Sequence, residues 1–333
     1  MKKIKKTNLA VGIIGLGVGL NHYKAYQNNP NTHVKYLCDF DEKKLSKFKN
    51  NKENIKLLKN SDQIFEDDEI KIISIASFDE FHFVQILKAI KHNKHIMVEK
   101  PLCLTKNQLK KINRANLGKN LIISSNMVLR TNPRFNYIRN AISSSINNIY
   151  YIEAEYLWGR PKKLEGWRRY TKNYSIILGA SIHMIDLVLY LINKNPTYVK
   201  AIGNKFDTGK KIINSENFIG IDLIFQNNLI VRINTHGICK HPHFHNIRIF
   251  SKDYTYSSDI NGFFKISNKS KTGIKKDYPF KSNRNLIIDS FISKILKKKN
   301  NYFVSFKETN VLMNICFSAI ESLKKNKSIK ITY

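Results

Sequence analysis

The feature that most constrains this chain is a glycine-rich turn between an apolar run and an amphipathic helix near its start. Leu9 to Ile14 is a short apolar stretch, as a strand buried on both faces of a parallel sheet requires. It runs into Gly15-Leu16-Gly17-Val18-Gly19-Leu20, and a helical pattern follows over Asn21 to Gln27. Gly15 permits the tight turn and Gly17 lets the backbone approach a diphosphate. The free N–H groups around Val18 and Gly19 then hold the anion at the helix N-terminus. The third glycine of the usual spacing falls at Leu20, so Gly19 stands one place early. Such a turn gains weight from an acidic residue about 20 positions on, at the end of a second strand. Val34 to Cys38 reads as that strand and Asp39 ends it, with Asp41 as an alternative. A carboxylate there accepts from the adenosine ribose hydroxyls and repels a 2′-phosphate, which favours NAD over NADP.

The same alternation continues. Glu42 to Lys49 reads as a helix and Ile70 to Ala76 as a third strand. Phe81 to Asn93 is a helix with Phe83, Val84, Leu87 and Ile90 at helical spacing, His95 to Val98 a fourth strand and Leu121 to Ser124 a fifth. Strands alternating with helices imply right-handed crossovers and a parallel sheet, an α/β Rossmann domain over residues 1–125. The pattern then changes. Tyr150 to Trp158 alternates like a strand and Ile182 to Ile192 is an apolar helix. Phe218 to Phe225 and Leu229 to Thr235 flank Asn227-Asn228 as a hairpin, and His243 to Phe250 and Phe263 to Ile266 resemble further strands. A helix with an apolar stripe over Val311 to Lys324 closes the chain. Residues 126–333 are expected to form an α+β domain with a large, mainly antiparallel open sheet.

Composition narrows the classes. With 42% hydrophobic residues, 19 Phe and 16 Tyr in 333 residues, the chain has material for two folded domains. No apolar run approaches the roughly 18 residues of a membrane span. The basic start, Met1 to Lys6, lacks the apolar stretch and cleavage site of a secretory signal. Cys38, Cys103, Cys239 and Cys316 show no paired spacing, which points to a reducing cytoplasm. The net charge of +32 comes from 47 lysines and 10 arginines spread along the chain. Lysines so dispersed read as solvated faces, with no specific nucleic-acid partner, although their field attracts anionic ligands.

Two segments carry the chemistry. His95-Ile96-Met97-Val98-Glu99-Lys100-Pro101-Leu102 leaves a strand at its C-terminal end, where open α/β sheets bind ligands. Lys100 can hydrogen-bond and polarise a reacting oxygen, and Pro101 fixes the turn, its peptide cis or trans. In Leu178-Gly179-Ala180-Ser181-Ile182-His183-Met184-Ile185-Asp186, His183 and Asp186 share a helix face. A histidine near neutrality can take an alcohol proton as hydride leaves.

These residues, with the Ser77-Phe78-Asp79-Glu80-Phe81-His82 turn, resemble in order and spacing the glucose–fructose oxidoreductase, inositol dehydrogenase and rhizopine-catabolism (Gfo/Idh/MocA) family. The resemblance spans nearly the whole chain. It implies a Rossmann domain followed by an α/β domain whose open sheet often forms an oligomer interface, here a homodimer or homotetramer. It also implies hydride transfer between NAD(P) and sugars, cyclitols or their derivatives. The family's lysine corresponds to Lys100 and its histidine to His183. Gly15, Gly17, Val18, Gly19, Asp39, Ser77, His82, Glu99 and Lys100 would then line the cofactor. Family members often carry an aspartate four residues before the histidine; here Gly179 stands there, which leaves Asp186, a water or the substrate to orient the ring. That departure keeps open a second class, a cofactor-binding sensor or subunit without turnover.

Substrate contacts are expected from Trp158, Arg160, Trp167, Arg168 and Arg169 in the segment before the histidine helix, and from Asn126 and Arg130 after the fifth strand. Indole faces pack on sugar rings and guanidinium forks bind carboxylate or phosphate, so an anionic sugar fits. Cys239, His241, His243 and His245 match no common zinc spacing, and no metal is expected.

Overall fold

The computed structural model describes residues 8–49, 54–172, 174–268, 270–275 and 282–333, so the basic start at Met1 to Lys6 lies outside the described residues. The chain divides into two compact units, residues 1–128 with 283–309, and residues 129–282 with 310–333. The single expected boundary at 125/126 therefore misses a return: residues 283–309 go back to the first unit. No sequence signal marks such a return, because a helix advertises its apolar face and not the surface it meets.

In the first unit the chain runs through β1 (Leu9–Ile14), α1 (Gly19–Asn28), β2 (Thr32–Cys38), α2 (Glu42–Leu45), β3 (Lys56–Leu58), α3 (Asp62–Glu66) and β4 (Ile70–Ile75). It continues through α4 (Asp79–Lys91), β5 (His95–Val98), α5 (Lys106–Asn116) and β6 (Ile123–Ser125). The six strands are parallel, in the order β3-β2-β1-β4-β5-β6. The order reverses between β1 and β4, and the crevice at the C-terminal ends of those strands is the binding place of open α/β sheets. β3, α3 and α5 escape the sequence pattern. β3 is only three residues long and partly exposed, and α5 buries just Leu109 and Ile112 on a lysine-rich helix.

All six residues of β1 are buried. Its core joins Val11, Ile13, Leu16, Ala25, Tyr26, Leu37 and Ile72 to Ile287, Ile288, Phe291 and Ile292 of the returning segment. Each such fully buried aliphatic side chain contributes roughly 1.5–3 kcal/mol.

The second unit holds α6 (Pro133–Ile142), β7 (Ile149–Leu157), α7 (Ile182–Ile192), β8 (Tyr198–Asn204), β9 (Phe218–Ile224) and β10 (Ile230–His236). β11 (Phe244–Ser251), β12 (Thr255–Asp259), β13 (Gly262–Ile266) and β14 (Lys271–Lys275) follow. After the returning helix α8 (Arg284–Ile295) come α9 (Phe306–Lys325) and β15 (Ile329–Lys330). Among the described residues nine strands lie in the order β14-β13-β12-β11-β7-β10-β9-β8-β15, with β7 and β10 parallel and the other neighbours antiparallel. The expected hairpin joins β9 and β10, and Asn228 takes the left-handed conformation at φ 59°.

Alternation sorts the sheet's faces. Ile152, Ala154, Ile219, Ile221, Leu223, Val231, Ile233, Ile247 and Ile249 are buried on one face. On the other, Tyr198, Ile224, Ile230, Tyr151 and Phe250 form one cross-strand row. Lys200, Asp222, Arg232, Glu153 and Arg248 form the next row, alternating in charge.

Candidate active site

The glycine turn is shaped by its surroundings. Gly15 has φ +89°, and a Cβ there would lie 2.4 Å from the Ala76 carbonyl oxygen, so only glycine serves. At Gly17 a Cβ would meet nothing within 4 Å, which leaves open space against the backbone. The N-cap of α1 is Val18, with no side chain capping the helix. Open backbone and uncapped N–H groups at the end of a helix suit a diphosphate, so this turn fits the dinucleotide.

Asp39 is buried at the end of β2 and stabilises the turn. One carboxylate oxygen accepts from the Leu16 N–H at 2.7 Å and the other from the Asp41 N–H at 2.9 Å. Lys44 pairs with it at 3.1 Å. Asp41 itself caps α2 by accepting from the Lys43 N–H. Exposed Phe40 packs beside Phe78, with ring centroids 5.9 Å apart, at the crevice side of the sheet.

Glu99 and Lys100 follow β5 at the same edge, and the Lys100–Pro101 peptide is cis. Glu99 receives hydrogen bonds from His22 Nε2 at 3.2 Å, Asn126 Nδ2 at 2.8 Å and Arg284 at 3.3 Å. His22, fully buried on α1, lies 2.8 Å from the Ser74 hydroxyl through Nδ1. Burial alone would raise the Glu99 carboxyl pKa. The hydrogen bond and charge of His22, then the charges of Arg284 and Lys100, hold it well below the usual carboxylate range. A permanent carboxylate therefore stands beside the lysine.

Two of the expected contacts are engaged by the protein itself. His82 is fully buried, with Nδ1 2.7 Å from the Pro101 carbonyl oxygen and Nε2 3.2 Å from that of Ser77. It braces the loop between Ser77 and Pro101. Asn126, also fully buried, donates to Glu99 through Nδ2, while among the described residues its Oδ1 has no hydrogen-bond partner. Ser77 remains partly exposed, its hydroxyl donating to Gln85 at 2.7 Å. His22, Ser74 and Arg284 were not legible as a network. A histidine on the apolar face of α1, beside Ala25 and Tyr26, is the only hint the sequence holds.

In the second unit α7 carries His183, partly exposed among buried neighbours. A π-turn, Ile177–Ser181, immediately precedes it. The Tyr156 ring stacks on His183 with centroids 6.0 Å apart and interplanar angle 14°. Tyr156 also meets His243 at 5.3 Å and His245 at 4.8 Å, edge to face. His243 Nδ1 lies 2.9 Å from the Trp158 carbonyl oxygen. Burial, then the charge of Arg160, pushes His243 down to about 4. Burial, then His243 and His183, keep His245 well below its ordinary value. Both imidazoles are neutral at pH 7.

Arg130 and Asp186 do not take their expected places. Arg130 donates to Asp186 through Nη2 at 2.7 Å and Nε at 3.0 Å, and the two side chains are 5% and 2% exposed. Arg130 therefore faces Asp186, and the carboxylate of Asp186 is held by the guanidinium. Trp158 is buried, with Arg168 5.8 Å from its ring and 4.4 Å from that of Trp167. Arg160 is exposed, and Arg169 lies over Tyr170 and donates to the Lys211 carbonyl at 3.2 Å. Among the described residues no group of three or more His, Cys, Asp or Glu side chains is arranged to hold a metal.

Comparison with known proteins identifies the family. Residues 9–127 match the model of the Gfo/Idh/MocA oxidoreductase family, NAD-binding Rossmann fold, and residues 135–256 match a C-terminal domain of the same family. The chain belongs to the Gfo/Idh/MocA oxidoreductases, and its first unit is their NAD-binding domain. A 1,5-anhydro-D-fructose reductase of Ensifer adhaerens is 25% identical over 153 residues, 45% of this chain and 46% of the reductase. The chain thus spans about half the length of that curated relative. Among solved structures, a levoglucosan dehydrogenase in complex with NADH superposes with TM-score 0.83 at 16% identity, over 98% of this chain and 100% of the other. The scyllo-inositol dehydrogenase of Lactobacillus casei, with NAD(H) and scyllo-inositol, gives 0.79 at 15% identity, over 97% and 99%. Both show the shared fold.

Proposed function

We propose that this protein is an NAD-dependent dehydrogenase or reductase acting on a hydroxyl or keto carbon of a sugar, cyclitol or sugar derivative. The observation that carries this reading is one sheet edge in the first unit. There the Gly15–Gly19 turn, Asp39 and the Glu99-Lys100 pair follow β1, β2 and β5 of the same parallel sheet. Bound NAD supplies the hydride chemistry. The chain's own residues bind and orient. The α1 N-terminus holds the diphosphate, while Asp39 fixes the turn at Leu16 and offers its remaining acceptor capacity to the ribose, favouring NAD over NADP. Lys100 Nζ hydrogen-bonds the reacting oxygen, with the Glu99 carboxylate beside it in sequence. The imidazole of His183 takes or returns the hydroxyl proton. The names of the relatives support the substrate class, since they act on an anhydrosugar, an anhydrofructose and a cyclitol.

Lys100→Met should abolish turnover, read as absorbance at 340 nm with a panel of cyclitols, anhydrosugars and sugar nucleotides, while NADH binding persists. Unchanged turnover removes Lys100 from the reaction. NADH binding with no turnover of any panel member by the native protein would favour the sensor reading.

Two finer readings accompany this. Arg160, Arg168 and Arg169, with Trp167, suit an anionic substrate such as a uronate or sugar nucleotide. The paired apolar and charged rows on the open sheet face suit a second copy of the chain, because a two-fold axis brings each row against its own complement. Ile230→Asp should then shift the sedimenting species from dimer or tetramer to monomer. Among the described residues no helix is long and apolar enough to cross a membrane, and all four cysteines are free thiols. Both facts are consistent with a cytoplasmic enzyme.

A further inference from the structure

Glu99 follows β5, on the side of the β1–β4 switch that receives the nicotinamide half of a dinucleotide, while Asp39 follows β2 on the other side. Three side chains from three parts of the fold converge on Glu99: His22 of α1, Asn126 after β6 and Arg284 of α8. All three meet Oε1, so the carboxylate is held by one oxygen and offers the other, Oε2, to a ligand. The Glu99 side chain is 12% exposed. The vicinal hydroxyls of a ribose are donors that complement such an oxygen.

Arg284 reaches that carboxylate because α8 packs on α1. Ile287, Ile288, Phe291 and Ile292 share a core with Ala25 and Tyr26, and Asn29 donates to Asp289 at 2.6 Å. Arg284 lies three residues before Ile287 and His22 three before Ala25, so each helix presents its polar group about one turn ahead of the shared apolar contact. The start of α8 gives no local reason for a cation. Arg284 is its first residue, after Asn283, whose side chain accepts from the Asn285 N–H at 3.1 Å. A positive charge there opposes the helix dipole. Glu99 accounts for it instead: Arg284 Nη1 lies 3.3 Å from Oε1. Burial raises the Glu99 carboxyl pKa, and the hydrogen bond and charge of His22, then the charge of Arg284, outweigh it.

We propose that Arg284 is a positioning residue for the cofactor: from α8 it fixes the Glu99 carboxylate so that Oε2 accepts from the hydroxyls of the nicotinamide ribose. This rests on the proposed dinucleotide site. The returning segment, residues 283–309, then serves the cofactor as well as the core. Arg284 touches Glu99 and acts on the cofactor through it. Without the guanidinium the carboxylate loses a charge partner and one of three restraints on its rotation. The adenosine half, held by the Gly15–Gly19 turn and Asp39, is untouched.

The test compares NADH with ADP, which lacks the nicotinamide ribose, by calorimetric titration of the full-length protein at pH 7. Arg284→Met should bind NADH roughly tenfold more weakly than the native protein, with ADP affinity within about twofold. Arg284→Lys keeps a cation and should recover NADH binding to within about threefold of native. Glu99→Gln should lose at least as much as Arg284→Met. Adding Arg284→Met to Glu99→Gln should cost no more than about a further twofold, because Arg284 acts through that carboxylate. NADH affinity of Arg284→Met within about twofold of native, equal weakening of NADH and ADP, or additive losses in the combined variant would each overturn the proposal. The Met and Lys variants decide even if Glu99→Gln does not fold, since the Arg284 side chain is 35% exposed. A native protein that binds neither NADH nor ADP would instead overturn the dinucleotide site itself, and this proposal with it.

Discussion

The buried pair of Arg130 and Asp186 offers the sharpest test of how the second unit is built. Asp186→Asn keeps the shape of the side chain and removes its charge. Both partners are almost wholly buried and joined by bonds of 2.7 and 3.0 Å, so the change takes away the charge that the buried guanidinium faces. Removing one member of such a pair costs about 3–5 kcal/mol, because the remaining charge keeps its desolvation penalty without its partner. For a unit of this size each kcal/mol moves Tm by roughly 2–4 °C, so Asp186→Asn should lower the melting temperature by roughly 6–20 °C. Arg130→Met should cost a similar amount and also removes the guanidinium lying 5.3 Å from the Tyr190 ring. The joint replacement Arg130→Met with Asp186→Leu should return to within about 1 kcal/mol of native, since an apolar pair pays no desolvation. Differential scanning calorimetry of the four proteins reads all three changes. If Asp186→Asn melts within about 2 °C of native yet loses most of its kcat, the structural reading is wrong and Asp186 orients His183 after all.

Further outcomes can be checked directly. Gly17→Val should fold normally, because its Cβ meets nothing, yet bind NADH at least about tenfold more weakly; Gly15→Ala should be destabilised by roughly 1–3 kcal/mol through its backbone, and equal behaviour of the two in fluorescence titration and melting would sink the assignment of the turn. With His243 pushed down to about 4, the unfolded chain binds more protons than the folded one between about pH 6.5 and 4. Stability should therefore fall as pH drops through that window, by about 2 kcal/mol from this group once partial solvent access is allowed for, and urea denaturation should show a shallower slope in His243→Phe. Burial pushes the Cys38 and Cys103 thiols up to about 12 and raises that of Cys316, while Cys239 is partly exposed. One thiol of four should react rapidly with a disulfide reagent in the native protein, and all four after denaturation.

Much of this protein is local, and the sequence by itself determined that part. β1, the glycine turn and α7 fall where periodicity places them, because a buried parallel strand must be apolar throughout and an amphipathic helix must repeat near 3.6. The turn glycines, Asp39 and the Glu99-Lys100-Pro101 segment are legible because each answers a demand of the backbone within a few residues of itself. What tertiary structure decided is the partner of each polar side chain. Arg130 is 56 residues from Asp186, Arg284 is 185 from Glu99, and His22 is 77 from Glu99. No spacing rule links such pairs, since a charge chooses its partner by proximity in the folded chain and by shared loss of water. The same reason hid the packing at Gly179: a missing side chain looks like a deficit in sequence, and only the fold shows that the Tyr174 phenol already fills the space.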